Sequence, residues 1–402
     1  MQRVLLTGFL AIFLWFCALP RGLSAGGDEG LRKAHALFQA GDYDKAIAEY
    51  KALTASESHR RDALLGLAQV RMERGEYQQA EEACQQALRH APADPVALGL
   101  LGQVLQATGR YKLARQDFEK AVRRNPNQLE ARLALGKMQW EWGEHQAARV
   151  TLQPFIAYYR NNANLTAEEL NLIAQACVYL ERFRDANDLF YDATKADPKL
   201  WQAFVAWGEL MLSKYNVADA QGIFQDALKV NPHAAAAHLG LAKCLRSTDF
   251  EGAKQEAEAA LAINPGLVPA YDFLAELDIL TGDLEAALQE LEKPLKVNPN
   301  SLSTRALRAV CYYFLDDLPK YHEEERTILA VNPHYADVYF EIAESLARRY
   351  LFQESVEFYN KALALDPEHW AAHAGLGTSL SRLGEEAAAK AELEKAFSRD
   401  PY

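Results

Sequence analysis

Residues Pro95 to Gln128 read PVALGLLGQVLQATGRYKLARQDFEKAVRRNPNQ, and the order of small and large side chains in this stretch decides the fold. Leu98, Leu101, Gly102 and Leu105 fall on one face of a first helix at spacings of three and four. Thr108-Gly109 breaks that helix, and Ala114, Phe118 and Ala121 then line one face of a second. Asn125-Pro126 ends it, because proline cannot donate the intrahelical hydrogen bond and clashes with the turn before it.

With the phase fixed on this stretch, eleven such units follow one another: 27–60, 61–94, 95–128, 129–162, 167–200, 201–234, 235–267, 268–301, 302–335, 336–369 and 370–402. The eighth position, where two helices must cross closely, is Ala34, Ala68, Gly102, Gly136, Ala174, Gly208, Ala242, Ala275, Ala309, Ala343 or Gly377. The matching position of the second helix is Ala from Ala46 to Ala389, except at Tyr321 and Ser355. Most units close on a proline, from Pro92 to Pro401. Pro154 and Pro294 fall inside second helices instead, where each is expected to kink its helix.

This pattern resembles the 34-residue tetratricopeptide repeat (TPR), a helix-turn-helix unit that stacks on its neighbours. The resemblance covers nearly the whole chain after residue 26. It implies an all-α, right-handed α-solenoid, a superhelix of about eleven repeats.

Between the fourth and fifth repeats stand four extra residues, 163–166, of which Thr166 with Glu169 makes a capping box for the next helix. Asn164-Leu165-Thr166 is also a glycosylation sequon, and the cap is the preferred reading. Residues 61–162 carry 14 Lys+Arg against 11 Asp+Glu, whereas 163–402 carry 22 against 38. Residues 154–166 therefore read as a joint between repeats 1–4 (27–162) and repeats 5–11 (167–402), arms of different charge and different ligand preference. The ninth repeat, with Pro319, Tyr321 and the run Glu323-Glu324-Glu325, is expected to be locally loose.

Residues 1–25 are a separate element. Arg3, the apolar run Val4 to Ala18, Pro20 and the small-residue exit Leu23-Ser24-Ala25 predict a cleavable export signal, and hence a periplasmic or extracellular protein; the alternative is an uncleaved anchor, for which the run is short. Trp15 and Phe16 argue against lipidation at Cys17. No later apolar run is long enough to span a bilayer, so no integral membrane segment is expected after cleavage. The mature chain has 41 basic and 55 acidic residues, a net charge of −14 that disfavours nucleic acid as a partner. Cys84, Cys177, Cys244 and Cys311 sit 93, 67 and 67 residues apart at packed repeat positions and read as buried free thiols.

Chemistry has little support. A zinc peptidase needs His-Glu-x-x-His, whereas His322-Glu323 lacks the second histidine and His369-Trp370-Ala371-Ala372-His373 lacks the glutamate. His373 and His238 share the fourth repeat position with Leu98 and Phe204, where a side chain packs on the neighbouring helix. No phosphate-binding glycine loop and no Gly-x-Ser-x-Gly elbow is present, so neither enzyme activity, cofactor nor metal is expected.

What remains is surface. By the resemblance, first helices line the inner, concave face, with the fifth, ninth, twelfth and thirteenth repeat positions outward on it. Gln69, Gln103, Lys137, Trp140, Gln175, Tyr179, Glu209, Leu212, Lys243, Arg246, Glu276, Ile279, Tyr313, Phe314, Phe340, Glu344 and Arg348 form the candidate ligand groove for a protein or peptide. The alternative for Trp140, Tyr313 and Phe314 is packing against the next repeat. Two specialised TPR grooves are not matched: Leu65, Gln69, Gly99 and Gln103 stand where a carboxylate clamp needs Lys and Asn, and Gly66, Leu100, Ala134 and Leu172 where an asparagine ladder needs Asn.

The expectation is an exported scaffold for envelope assembly, secretion or polymer export. The alternative is the recognition arm of an exported enzyme whose peptidase-like part follows Tyr402 or is a separate subunit; the chain ends at FSRDPY with no polar capping helix, as where some exported bacterial TPR proteins pass into such a domain.

Overall fold

The computed structural model describes residues 29–214 and 216–399. These contain twenty-three α-helices, which is eleven helix pairs with one second helix divided in two. The architecture is the all-α solenoid of helix-turn-helix repeats that the resemblance implies. The export signal at 1–25 lies outside the described residues.

The glycines of the crossing position show why the period holds. A Cβ on Gly102 would stand 2.6 Å from Phe118, one on Gly136 2.4 Å from Leu152, and one on Gly208 2.7 Å from Phe224. Ala114, Ala148 and Ala220 on the facing helices are fully enclosed. Larger groups would drive these helices apart, so Gly and Ala are what the close crossing requires. The two departures are accommodated differently. Tyr321 lies edge-on to Tyr313 with its hydroxyl donating to Glu325, and the Ser355 hydroxyl bonds that of Ser379 at 2.9 Å.

The prolines divide by position. At Pro154 the second helix of repeat 4 splits into His145–Leu152 and Pro154–Asn161, and the break is the single residue Gln153, which keeps helical dihedrals of −51° and −36°. Pro294 lies within Leu284–Val297, which continues as one helix. Pro319 occupies the first turn of Leu318–Val331, where its missing N–H has no intrahelical partner to lose. The expected loosening of the ninth repeat is therefore not seen. Glu324 is not solvated either: it is buried against Arg305 at 2.6 Å and Arg308 at 3.0 Å.

The insertion is stitched at both ends. Thr166 and Glu169 make the reciprocal capping box, and Glu169 also accepts the Tyr158 hydroxyl at 2.7 Å. Phe155 and Ile156 are buried just before it. The division into compact units falls elsewhere, at Ala270/Tyr271, so 154–166 lies inside the first unit. Among the described residues Cys84, Cys177, Cys244 and Cys311 are free and buried, and burial raises their thiols, Cys177 to about 11 and Cys244 and Cys311 to about 12.

Candidate protein-binding face

In the first unit the ninth repeat position forms a polar row, one side chain per repeat. Gln69, Gln103, Lys137, Gln175, Glu209 and Lys243 are all buried. Its last two members meet: Lys243 Nζ lies 3.4 Å from Glu209 Oε1. Gln175 Nε2 donates to Asn171 at the fifth position, while its Oε1 has no hydrogen-bond partner. Lys137 lies over the Tyr179 ring at 5.8 Å, and Trp140 stands edge-on to Tyr179 at 6.1 Å and to His145 at 4.5 Å. The Arg149 guanidinium covers Trp140 at 5.5 Å. Trp140 thus takes the packing role against the next repeat. Leu212, on the helix of Glu209, and Arg246, which caps the helix of Lys243, are half-buried.

Carboxylates on this face are more perturbed than the sequence suggested. Burial pushes the Glu73 carboxyl up to about 8. It also raises Glu141 and lowers Lys137, one turn apart on the same helix, with Glu141 first and Glu209 next pulling Lys137 back toward its charged form. Glu73 and Glu141 occupy the thirteenth position of their repeats. The spacing rule that selected the groove reaches them, and they were overlooked because an isolated glutamate reads as an ordinary solvated residue.

The second unit departs further from expectation. Phe340 and Ile279 belong to its hydrophobic core and are not groove surface. Tyr313 packs edge-on to Phe358 of the following repeat at 5.1 Å, and Arg349 lies over Phe314 at 3.6 Å. Large side chains at inner positions are recruited by the neighbouring repeat because that contact removes more apolar area from water. Of the expected groove there, Glu276 is half-buried, Glu344 is buried and accepts the Tyr359 hydroxyl, and Arg348 is exposed. Asp272 is an inner residue missed at the fifth position. Burial lifts it to about 7 against hydrogen bonds from Ser303 and Thr304 at 2.6 and 2.7 Å. Glu341 is raised well above the usual range, by burial first and by Glu276 and Asp337 next.

The histidines are engaged in structure. His238 and His373 use the fourth position to clamp two elements: Nδ1 meets Glu256 at 2.6 Å or Glu392 at 2.5 Å, and Nε2 meets the carbonyl of Pro232 or Pro367. Arg132 and Arg305 reach the carbonyls of Pro126 and Pro299 from the same position. It is therefore a polar clamp in these four repeats, not the apolar contact expected. His369 caps its helix through Ala372 and bonds Asp337, and His322 bonds Glu325. Among the described residues no group of three or more His, Cys, Asp or Glu side chains is placed to hold a metal ion, and no helix is long and apolar enough to cross a membrane.

Three tetratricopeptide-repeat family models match the chain. One matches residues 31–95, 100–153 and 206–268, a second 245–311, and a third 336–369 and 371–402. No curated protein matches it in sequence. Among solved structures it is similar to the crystal structure of the yeast Tom70, at 13% identity over 93% of this chain and 92% of that one, with a TM-score of 0.44.

Proposed function

The chain belongs to the tetratricopeptide repeat family, and from that premise we propose that it is an exported scaffold that holds a protein or peptide against the inner row of its first helices. The observation that carries the reading is the in-register row Gln69, Gln103, Lys137, Gln175, Glu209 and Lys243, one buried amide or charged side chain per repeat, with both charge signs along the row. Side chains of that kind suit the alternating donors and acceptors of a polypeptide main chain. Export, and with it a role in envelope assembly, secretion or polymer export, is supported by the sequence of residues 1–25. The reading assigns these residues no catalytic step and no cofactor. The excess of carboxylates after residue 163 favours basic segments as ligands there, with affinity that weakens as salt screens the field.

Site-resolved photo-crosslinking in the native compartment tests it. A photoreactive residue at Gln103 is expected to trap a partner that the same residue at exposed Gln85, on a second helix, does not. Adducts of equal yield at the two positions, or at Gln85 alone, would overturn the assignment of the face. N-terminal sequencing of the accumulated protein is expected to begin at Gly26; a mature chain that keeps Val4 to Ala18 would refute export by cleavage.

A further inference from the structure

Two turns at the start of the first unit are docked on two turns five repeats further along. In repeat 1 the Tyr43 hydroxyl donates to the carbonyl of His233 at 2.9 Å and accepts from Asn231 Nδ2 at 3.0 Å. The His233 ring returns a bond, Nδ1 to the carbonyl of Gly41 at 3.0 Å; since a carbonyl only accepts, Nδ1 carries the hydrogen. Repeat 2 repeats the arrangement on the next turn. Asn264 Nδ2 donates to the carbonyl of Met72 and the Tyr77 hydroxyl to that of Gly266, both at 3.3 Å. Phe38 lies edge-on to Trp201 beside the first pair.

The seam is built for this contact. A Cβ on Gly41 would stand 2.1 Å from Asn231 Oδ1, and one on Gly75 2.2 Å from Asn264 Oδ1. Left-handed backbone alone does not demand glycine at this turn, because Glu181, Asp316 and Tyr350 adopt it elsewhere in the chain. At 41 and 75 the missing side chain is what lets the turns touch. Asn231 and Asn264 each use Oδ1 to fold their own Asn-Pro turn and keep Nδ2 for the seam, and both are buried. Asn125 folds its turn in the same way and is exposed.

We propose that this seam is a latch that governs access to the inner face of the first unit, and the proposal rests on the reading that a partner binds there. The polar row is buried while the seam is shut. A polypeptide reaches it from the side only when the turns part. The seam is mostly hydrogen bonds at turn tips, each of which is exchanged for a bond to water on opening, whereas neighbouring repeats are joined by enclosed apolar cores. The latch therefore opens before any repeat does.

The test needs no partner, so it fails or succeeds independently of the crosslinking at Gln103. In the full chain carrying Gln103→Cys, the rate of modification by a bulky polyethylene-glycol maleimide is compared with and without Gly41→Val. The added bulk is expected to speed labelling of the new thiol about tenfold or more, the factor that about 1.4 kcal/mol makes in an opening equilibrium. The four buried native thiols should stay unreactive, which separates latch opening from unfolding. If Gly41→Val unmasks the native thiols as well, Tyr43→Phe combined with Tyr77→Phe decides, since it deletes the three hydrogen bonds that the two hydroxyls make across the seam and adds no bulk. Equal bulky-reagent rates with the latch intact and with this pair, or amides at 41–43 and 231–233 that exchange only together with the whole unit, would overturn the proposal.

Discussion

Glycine does three different things in this chain, and substitutions should sort accordingly. Gly102→Leu meets Phe118 and the carbonyl of Ala114, so it is expected to cost about 1–3 kcal/mol or more by overpacking. Gly222, in the helix Val217–Val230, has nothing within 4 Å of an added Cβ. Gly222→Ala should stabilise by about 0.5–1 kcal/mol through helix propensity alone. Thermal melting of the two variants checks both signs; two downward shifts of equal size would contradict the register. Glu73 supplies a pH signature. Its folded-state carboxyl, at about 8, binds its proton more tightly than an ordinary glutamate near 4.5. The contribution to stability is therefore full at acid pH and is lost as pH rises from 4.5 through 8. Since Glu73 keeps part of its solvent shell, Glu73→Gln should gain about 1 kcal/mol at pH 8 and almost nothing at pH 5, as read from melting curves at the two pH values.

At the scale of the element, caps and crossings were legible because each uses residues close in sequence. The Thr166–Glu169 box is one instance, and Thr166→Ala should cost about 1 kcal/mol. Hydrogen exchange localises it: faster exchange confined to the start of Ala167–Tyr179 is expected, and an unchanged profile there would show that the cap contributes nothing. What escaped the sequence are positions where the same residue type serves two ends. Pro319 reads as a sign of loosening until its place in the first turn of Leu318–Val331 shows that it costs no intrahelical bond. His238 and His373 read as packed side chains until the carbonyls of Pro232 and Pro367 are seen six residues back. Phe340 and Ile279 obey the spacing of the inner face, yet their size gives them to the core.

At the scale of the molecule, the repeat order followed from one phase, while the seam left no separate trace. Gly-x-Tyr at 41–43 and 75–77 also closes the turn within each repeat, and Asn-Pro at 231 and 264 also ends a helix, so neither pair advertises a partner five repeats away. The joint expected at 163–166 lies between the two sides of that seam. A cut there separates Phe38 from Trp201, Tyr43 from His233 and Tyr77 from Gly266; a cut after Ala270 separates none of them. Fragment 26–270 is thus expected to protect its 41–43 and 75–77 amides more strongly than fragment 26–162, which should be helical and keep only the bonds these amides make within their own repeats. Equal protection in both fragments would mean that the seam adds nothing to the repeats it joins.

The distance along the chain between the two sides of the seam, 188 to 192 residues, also sets an order in time. A solenoid can add repeats as they emerge, since each needs only the one before it. The first two repeats cannot finish in that way. Their turns stay bare until His233 and then Gly266 have been delivered, so a chain emerging N-terminus first passes through a long stage in which its opening repeats are folded but unlatched. Whatever the inner face receives at that stage meets no closed seam, and a partner loaded during emergence would be enclosed by the arrival of the seventh repeat.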